Sequence, residues 1–279
     1  MSGTPPPKGS ADGFSVRLAL IINTSEQPEY LQRVLRAVAA QSSLPEEVLL
    51  ADDGSGHETR NVFANWNPAS KLRREHVWQK KEGFRRARIL NLAIARASSD
   101  YIVFLDGDTV PHPEFIADHR RLACRGNFVQ GHRALLRESA SAWFGMNGVL
   151  CDRRRAFWRG QIQGVKHAFR WPWPMARVRA DLHGIRGCNL AIWREDLVRS
   201  NGYNEEFVGW GREDSELAVR LMNLGLKRLD ARGWAICWHL WHPPAPRTGL
   251  AANDELLART RRSGLTRCDK GLAQHATNA

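Results

Sequence analysis

Cysteine is scarce and scattered in this 279-residue chain. Cys124, Cys151, Cys188, Cys237 and Cys268 are odd in number and show no C-x-x-C spacing, which argues against both a disulfide framework and a cysteine-based zinc site. A reducing cytoplasm fits that usage best. No uninterrupted apolar run approaches the roughly 18–20 residues of a membrane span. The Pro/Gly/Ser-rich start lacks an apolar signal-peptide core, so residues 1–14 are expected to form a disordered leader. The phosphate-binding loop G-x-x-x-x-G-K-[ST] is missing, and no zinc finger or RNP-type motif accompanies the basic charge, which ranks a nucleic-acid partner last. Acids are in deficit: 41 Lys and Arg face 29 Asp and Glu, leaving +12. That balance calls for anionic company, such as phosphorylated substrates or an acidic membrane face.

What is present reads as alternating strands and helices. Residues 16–23 (V-R-L-A-L-I-I-N) have strand length and apolarity, and Tyr30, Leu31, Val34, Leu35 and Val38 follow at helical spacing. Residues 47–51 give a second strand running into Asp52-Asp53-Gly54-Ser55-Gly56, and a short strand is predicted near residues 76–78. Successive β-α units imply a parallel sheet with right-handed crossovers, which binds ligands at the carboxyl ends of its strands. Residues 83–97 follow as a helix whose start carries Arg85, Arg88 and Asn91 three apart, a face able to receive a diphosphate or simply to be solvated.

Two acidic sites stand out. The apolar strand 101–105 delivers Asp106-Gly107-Asp108 at its carboxyl edge, a compact set of oxygen ligands for a hard divalent cation. Downstream, Gly209-Trp210-Gly211-Arg212-Glu213-Asp214 opens an apolar-periodic helix, placing two carboxylates in a first turn beside an indole that either offers a ligand a flat face or packs in the core. A late strand, residues 234–238, ends in His239-Leu240-Trp241-His242. In ideal strand geometry a three-residue offset keeps these histidines off one face, so the expectation is that one of them joins Asp108.

Between the two acidic sites, residues 136–185 lose regular patterning and fill with Arg and Trp, including Arg153-Arg154-Arg155, Trp158 and Trp171-Pro172-Trp173-Pro174. That mixture suits a membrane interface with anionic headgroups or a sugar-phosphate acceptor stacked on indoles; a solvated insertion and a single-stranded nucleic acid are the alternatives. Residues 187–193 then read as a strand, 194–200 as a helix and 253–262 as another, with a flexible tail from 263 to 279.

In their order and spacing these motifs resemble the GT-A glycosyltransferases, and within them the family 2 enzymes whose C-terminal region is similar to β-1,4-galactosyltransferases. The likeness spans about residues 15–260 and rests on Asn23-Thr24, Asp52-Asp53-Gly54-Ser55, the stretch from Gly83 to Asn91, Asp106-Gly107-Asp108, Arg186-Gly187-Cys188-Asn189, the Gly209–Asp214 stretch and His239 to His242. The chain departs from the family at Asn23 to Glu26, where a proline and an aromatic are usual.

The resemblance implies an α/β, Rossmann-like GT-A fold with a mostly parallel sheet flanked by helices, one domain carrying the Arg/Trp-rich insertion. It divides the chain into a nucleotide-sugar-binding half (15–135), the insertion (136–185) for acceptor or membrane contact, and an acceptor and catalytic half (186–262). By the same resemblance Thr24, Asp52 and Asp53 would contact the uracil of a UDP-sugar, Arg88 and Asn91 would approach the donor, and Asp106 the ribose and donor sugar. Asp108, with His239 or His242, would bind Mn2+ or Mg2+. Asp214 would be the general base with Glu213 beside it, and Trp210, Gly211 and Asn189 would meet the acceptor. The implied activity is inverting hexosyl transfer to a glycan or glycolipid, which could itself be phosphorylated, in cell-surface polysaccharide or lipopolysaccharide synthesis. It would take place in the cytoplasm, with peripheral contact at the inner membrane face and no nucleic acid. A non-catalytic sugar-nucleotide binder and a metal-dependent nucleotidyltransferase are the competing readings.

Overall fold

In a computed structural model, which describes residues 16–68, 72–244, 247 and 249–275, the predicted alternation is realised. The first half runs β1 (Leu18–Thr24), α1 (Pro28–Ala39), β2 (Glu47–Asp52), α2 (His57–Asn65), β3 (Arg73–Trp78), α3 (Arg86–Arg96), β4 (Tyr101–Asp106), β5 (Thr109–Pro111), α4 (Phe115–Leu122), β6 (Asn127–Gln130) and β7 (Arg133–Leu136). The rest runs α5 (Glu138–Ser141), α6 (Val149–Trp158), β8 (Ile162–Gln163), β9 (Arg177–Arg179), β10 (Asn189–Trp193), α7 (Arg194–Ser200), α8 (Glu213–Asn223), β11 (Lys227–Asp230), β12 (Cys237–His239) and α9 (Leu250–Ser263). The expected leader, residues 1–14, lies outside the described residues.

The main sheet has the order β3-β2-β1-β4-β10-β6-β11-β9. Strands β3, β2, β1 and β4 are parallel, β10 enters antiparallel between β4 and β6, and β6 pairs in parallel with β11. Because side chains alternate along a strand, each face of β1 feeds a different core. Leu18, Leu20 and Ile22 pack with Leu31, Val34 and Val38 of α1, whereas Ala19 and Ile21 pack with Ile89, Leu90 and Ile94 of α3. Burial on both sides explains why β1, β2 and β4 read as continuous apolar runs. A smaller sheet, β5-β12-β7-β8, sits beyond the carboxyl end of β4. The loops between the two sheets define a cleft.

Three expectations need correction. Residues 136–185 are not a loosely patterned appendage: they form α5, α6, β8 and β9, and Phe144, Ala156, Ile162 and Ala168 are buried in the main core. Arginines on the outer faces of these short elements mask their apolar spacing. The late strand is shorter than predicted, Cys237–His239, because the Ala235 carbonyl accepts from Asn189 Nδ2 and the Ala235 amide donates to Asp118, which removes both groups from a ladder. The tail also packs up to residue 275: Cys268 and Leu272 are buried, and the Leu272 amide donates to the Asn201 carbonyl. Among the described residues no helix is long and apolar enough to cross a membrane.

Candidate active site

A cavity of about 790 Å3 opens over the carboxyl ends of β1 and β4, a volume suited to a ligand of nucleotide-sugar size. One wall is metal-like. Asp108 follows β4, and β12 pairs antiparallel with β5 so that His239 lies opposite Thr109. Beyond His239 the chain leaves strand geometry, with the Leu240 amide donating to the Asp108 carbonyl, and this swings His242 back to the same carboxylate. His242 Nε2 is 3.0 Å and His239 Nε2 3.5 Å from the two Asp108 oxygens. Both histidines therefore join Asp108, which corrects the expectation that only one would.

One ligand atom from each of the three residues lies within 4.8 Å of the others. A carboxylate with two imidazoles, open toward the cavity, fits a divalent transition ion such as Mn2+ better than it fits Mg2+, which prefers an all-oxygen shell. Burial keeps His239 down at about 4 and hence neutral, the form in which an imidazole ligates.

The opposite wall is built on Arg86, the first residue of α3. Its guanidinium donates to Asp214 Oδ1 at 2.8 Å, Glu213 Oε1 at 3.2 Å and Asp106 Oδ1 at 3.3 Å. One buried cation thus serves three carboxylates. Burial together with the neighbouring Asp214, against the pull of Arg86, pushes Glu213 up to about 7. Burial likewise raises Asp106 to about 6, with Arg86 opposing and Asp108 and Asp214 adding to the rise.

Asp214 is pinned on its other oxygen by the Gly187 amide at 2.8 Å. A Cβ on Gly187 would collide with both the Arg86 guanidinium and the Asp214 carboxylate, so only glycine fits there. The Gly209–Arg212 turn that feeds α8 has φ of +81° at Gly209, +101° at Gly211 and +79° at Arg212, a cost at a non-glycine residue that is tolerated where a turn must aim functional side chains. It leaves Trp210 40% exposed on the cavity rim, with the Arg247 guanidinium 5.3 Å from its ring centre.

Asn23 Oδ1, Thr24 Oγ1 and Glu213 Oε2 are buried without a hydrogen-bond partner, and all three residues line the cavity. Unsatisfied buried atoms that face a cavity are the signature of a site completed by a ligand.

The structure thus brings together Thr24, Asp106, Asp108, Trp210, Gly211, Glu213, Asp214, His239 and His242 around one cavity. The other predicted residues do not border it. Asp52 accepts from the Ser55 amide and His76, while Asp53 accepts from Gln79 Nε2 and the Arg85 amide. Asp53 therefore fixes the start of α3, and so the position of Arg86. Arg88 donates to Gln79 Oε1 rather than facing the cavity. Asn91 is buried against the Tyr203 backbone and Glu205. Asn189, on the core strand β10, bonds His119, the His132 carbonyl and the Ala235 carbonyl. Each of these last three is a framework residue because its element faces a core or a loop where the cavity is not.

Sequence reasoning quoted motifs containing Arg86, Asn23, Arg186 and Trp241 but gave these residues no role, and it missed Arg133; all five line the cavity. The three-residue spacing on α3 identified a shared face but not which face meets the sheet's edge. Arg86, adjacent to the chosen arginines, was the available signal.

Comparison with known proteins matches two consecutive parts of the chain. Residues 19–171 match the model of the family described as glycosyl transferase family 2. Residues 173–239 match the model described as the N-terminal domain of galactosyltransferase. The chain is 25% identical over 251 residues to validoxylamine A glucosyltransferase of Streptomyces hygroscopicus subsp. limoneus, covering 78% of this chain and 51% of that protein. It is 24% identical over 239 residues to chondroitin synthase of Escherichia coli, covering 80% of this chain and 34% of that protein. The chain thus spans about half or less of the length of these relatives. Among solved structures, a mannosyltransferase from Pyrobaculum calidifontis in complex with GDP-Man and Mn2+ superposes with a TM-score of 0.59 at 16% identity, over 94% of this chain and 75% of that one. At that identity the likeness shows the fold, which is the GT-A arrangement the motifs implied.

Proposed function

The chain belongs to the family 2 glycosyl transferases, and from that membership we propose that it is an inverting, metal-dependent transferase moving a hexose or N-acetylhexosamine from a UDP-sugar to a glycan acceptor. The observation that carries this reading is the pairing, across one cavity, of the Asp108–His239–His242 ligand set with the Arg86-held carboxylates Asp106, Glu213 and Asp214. The Mn2+ complex of the Pyrobaculum calidifontis neighbour supports the metal assignment.

Asp108, His239 and His242 would hold the ion, which when bound neutralises the diphosphate of the leaving group. Asn23 and Thr24 face the nucleotide with their unsatisfied oxygens, and Asp106 stands at the sugar end of it. Trp210 presents a flat face for the acceptor to stack on. Asp214, whose side chain is 19% exposed against 8% for Glu213, is the base. As the acceptor oxygen bonds to the anomeric carbon, the bond from that carbon to the phosphate oxygen breaks and its electron pair leaves with UDP. The hydroxyl proton passes to Asp214. Attack opposite the leaving group inverts the anomeric centre, and Arg86 orients both carboxylates throughout.

Residues 15–135 serve as the donor half and 186–262 as the acceptor half. Exposed Trp158, Trp171 and Trp173, set among arginines, support peripheral contact with an anionic glycolipid surface at the cytoplasmic membrane face, in cell-surface polysaccharide or lipopolysaccharide synthesis.

The test is UDP release from a panel of UDP-sugars with Mn2+, Mg2+ or EDTA, with and without a detergent extract of host glycolipid. Metal-dependent release with one donor, raised by the extract, is expected. Asp108→Ala should weaken UDP binding at least tenfold when Mn2+ is present and leave it unchanged in EDTA. Tight UDP binding without release under every condition would replace the proposal with a non-catalytic sugar-nucleotide binder.

A further inference from the structure

A second cavity, of about 170 Å3, adjoins the first and shares Arg133, Arg186 and Cys188 with it. It is too small for a whole nucleotide sugar but has room for one charged group of a ligand. Its lining contains five cations, Arg133, Lys166, Arg179, Arg186 and Arg232, together with His132, His167 and His183, and no carboxylate. The acid behind it, Asp230, is buried and already committed. His132 Nε2 is 2.8 Å, Arg232 Nε 3.1 Å, Arg228 Nη2 3.5 Å and Arg179 Nη1 3.8 Å from its oxygens.

Among the described residues, Arg133, Lys166 and Arg186 make no ion pair with any acid, and Arg133 Nε is buried without a hydrogen-bond partner. The His132 and His167 rings stack in parallel with centres 4.3 Å apart. Burial, and then His132, Lys166 and Arg232, hold His167 down at about 4, which reports a positive local field. The exposed Asp181 also reaches Arg179 and Arg228, yet the cations around the recess still outnumber the acids, a field that favours an anion.

We propose that this cavity is an oxoanion subsite that holds a phosphate monoester carried on the acceptor. The reading rests on the transferase assignment for the word acceptor, and on the cavity alone for the anion. Its position beside the Gly187–Cys188 turn, next to Asp214, brings a phosphate-bearing sugar ring in the first cavity within reach of both sites. The guanidiniums offer paired donors to phosphate oxygens, and Lys166 adds a mobile charge at the mouth.

The experiment is calorimetric titration of the whole chain, in EDTA and saturating UDP, with inorganic phosphate, a hexose 6-phosphate and the uncharged hexose. Phosphate should bind although UDP occupies the first cavity, and hexose 6-phosphate should bind at least tenfold tighter than phosphate or hexose. Lys166→Glu combined with Arg232→Gln should weaken both phosphate ligands at least tenfold, with UDP affinity unchanged. Lys166→Glu alone, at an exposed side chain without an ion pair, keeps the test readable if the double variant fails to fold. Loss of phosphate binding under UDP would assign the anion to the donor cavity and overturn the proposal, as would equal binding by the variants. Phosphate binding with no gain from the hexose would separate the anion from the acceptor and overturn the assignment to it. Because no turnover is read, failure of the transferase reading would appear instead as absent UDP release with these titrations intact.

Discussion

On one side of the Gly187–Cys188 turn a single arginine, Arg86, stands among three carboxylates; on the other the buried Asp230 stands among three arginines and a histidine, with the exposed Asp181 reaching two of those arginines from outside. Arg86 and Asp230, at the two centres, are buried, and the clusters depart from neutrality in opposite senses. Glu213 rises to about 7 through burial and the neighbouring Asp214. Asp230 falls to about 2 although burial opposes it, because the His132 hydrogen bond and the surrounding cations dominate. The first cluster is short of positive charge and is ready to take up a proton or a cation. The second is short of negative charge and is ready to take up an anion. A protein optimised for stability alone would mix the two sets, so their segregation within one continuous cleft is a functional arrangement.

The sharpest way to break the comparison is to remove the acid expected to receive the proton. Asp214→Asn keeps the shape of the side chain and its contact with Arg86 while abolishing basicity. Turnover should fall on the order of 10²–10⁴-fold, with UDP affinity in Mn2+ unchanged, as read by single-turnover sugar transfer beside UDP titration. Retained turnover would move the base to Glu213.

Next in size is the acid on the basic side. Asp230→Asn would leave Arg179, Arg228, Arg232 and His132 facing one another around a neutral amide, with only the exposed Asp181 still offsetting Arg179 and Arg228. Removing one partner from a buried ionic cluster costs about 3 kcal/mol or more, so chemical denaturation should show a loss of that order at pH 7. Since the folded Asp230 titrates below its unfolded value, the wild-type advantage is fully present above about pH 4 and disappears as pH falls through about 2. An unchanged midpoint at pH 7 would mean that water, not Asp230, screens those arginines.

The carboxylate side was legible in the sequence to a degree that the basic side was not. Asp106, Asp108, Glu213 and Asp214 fall in short local motifs at element ends, where strand and helix geometry alone direct side chains to the sheet's edge. Arg86 was hidden because a three-residue spacing tells which residues share a helix face and not where that face points. The direction of α3 depends on Asp53, in the turn after β2, accepting from the Arg85 amide at its start. His242 was hidden by the break in strand geometry after His239. The basic cavity draws its lining from segments spread between Gly131 and Arg232, so no window of sequence contains it. Composition registered only its trace, an excess of Arg in residues 136–185 that the sequence placed on a surface and the fold turns partly inward.

The smallest effect separates the stability of the carboxylate cluster from its chemistry. Glu213 titrates at about 7 in the folded chain against an ordinary value of 4.5. The folded state therefore binds its proton more tightly than the unfolded state does. The advantage of that protonated form is fully present below about pH 4.5 and is lost as pH rises through about 7. At pH 8 a folded molecule carries an ionised Glu213 beside Asp214 with only Arg86 to offset both. Glu213→Gln removes that repulsion while keeping a group able to bond Arg86's surroundings, so it should gain about 1–2 kcal/mol at pH 8 and nothing at pH 4. In melting experiments this is an upward shift of about 2–8 °C at the higher pH. Turnover should change at the same time, most strongly above about pH 7, where the wild-type Glu213 is ionised and the glutamine is not. A variant equally stable at both pH values would show that the charge on this wall is already balanced by solvent, and the contrast with the basic cavity would lose its energetic meaning.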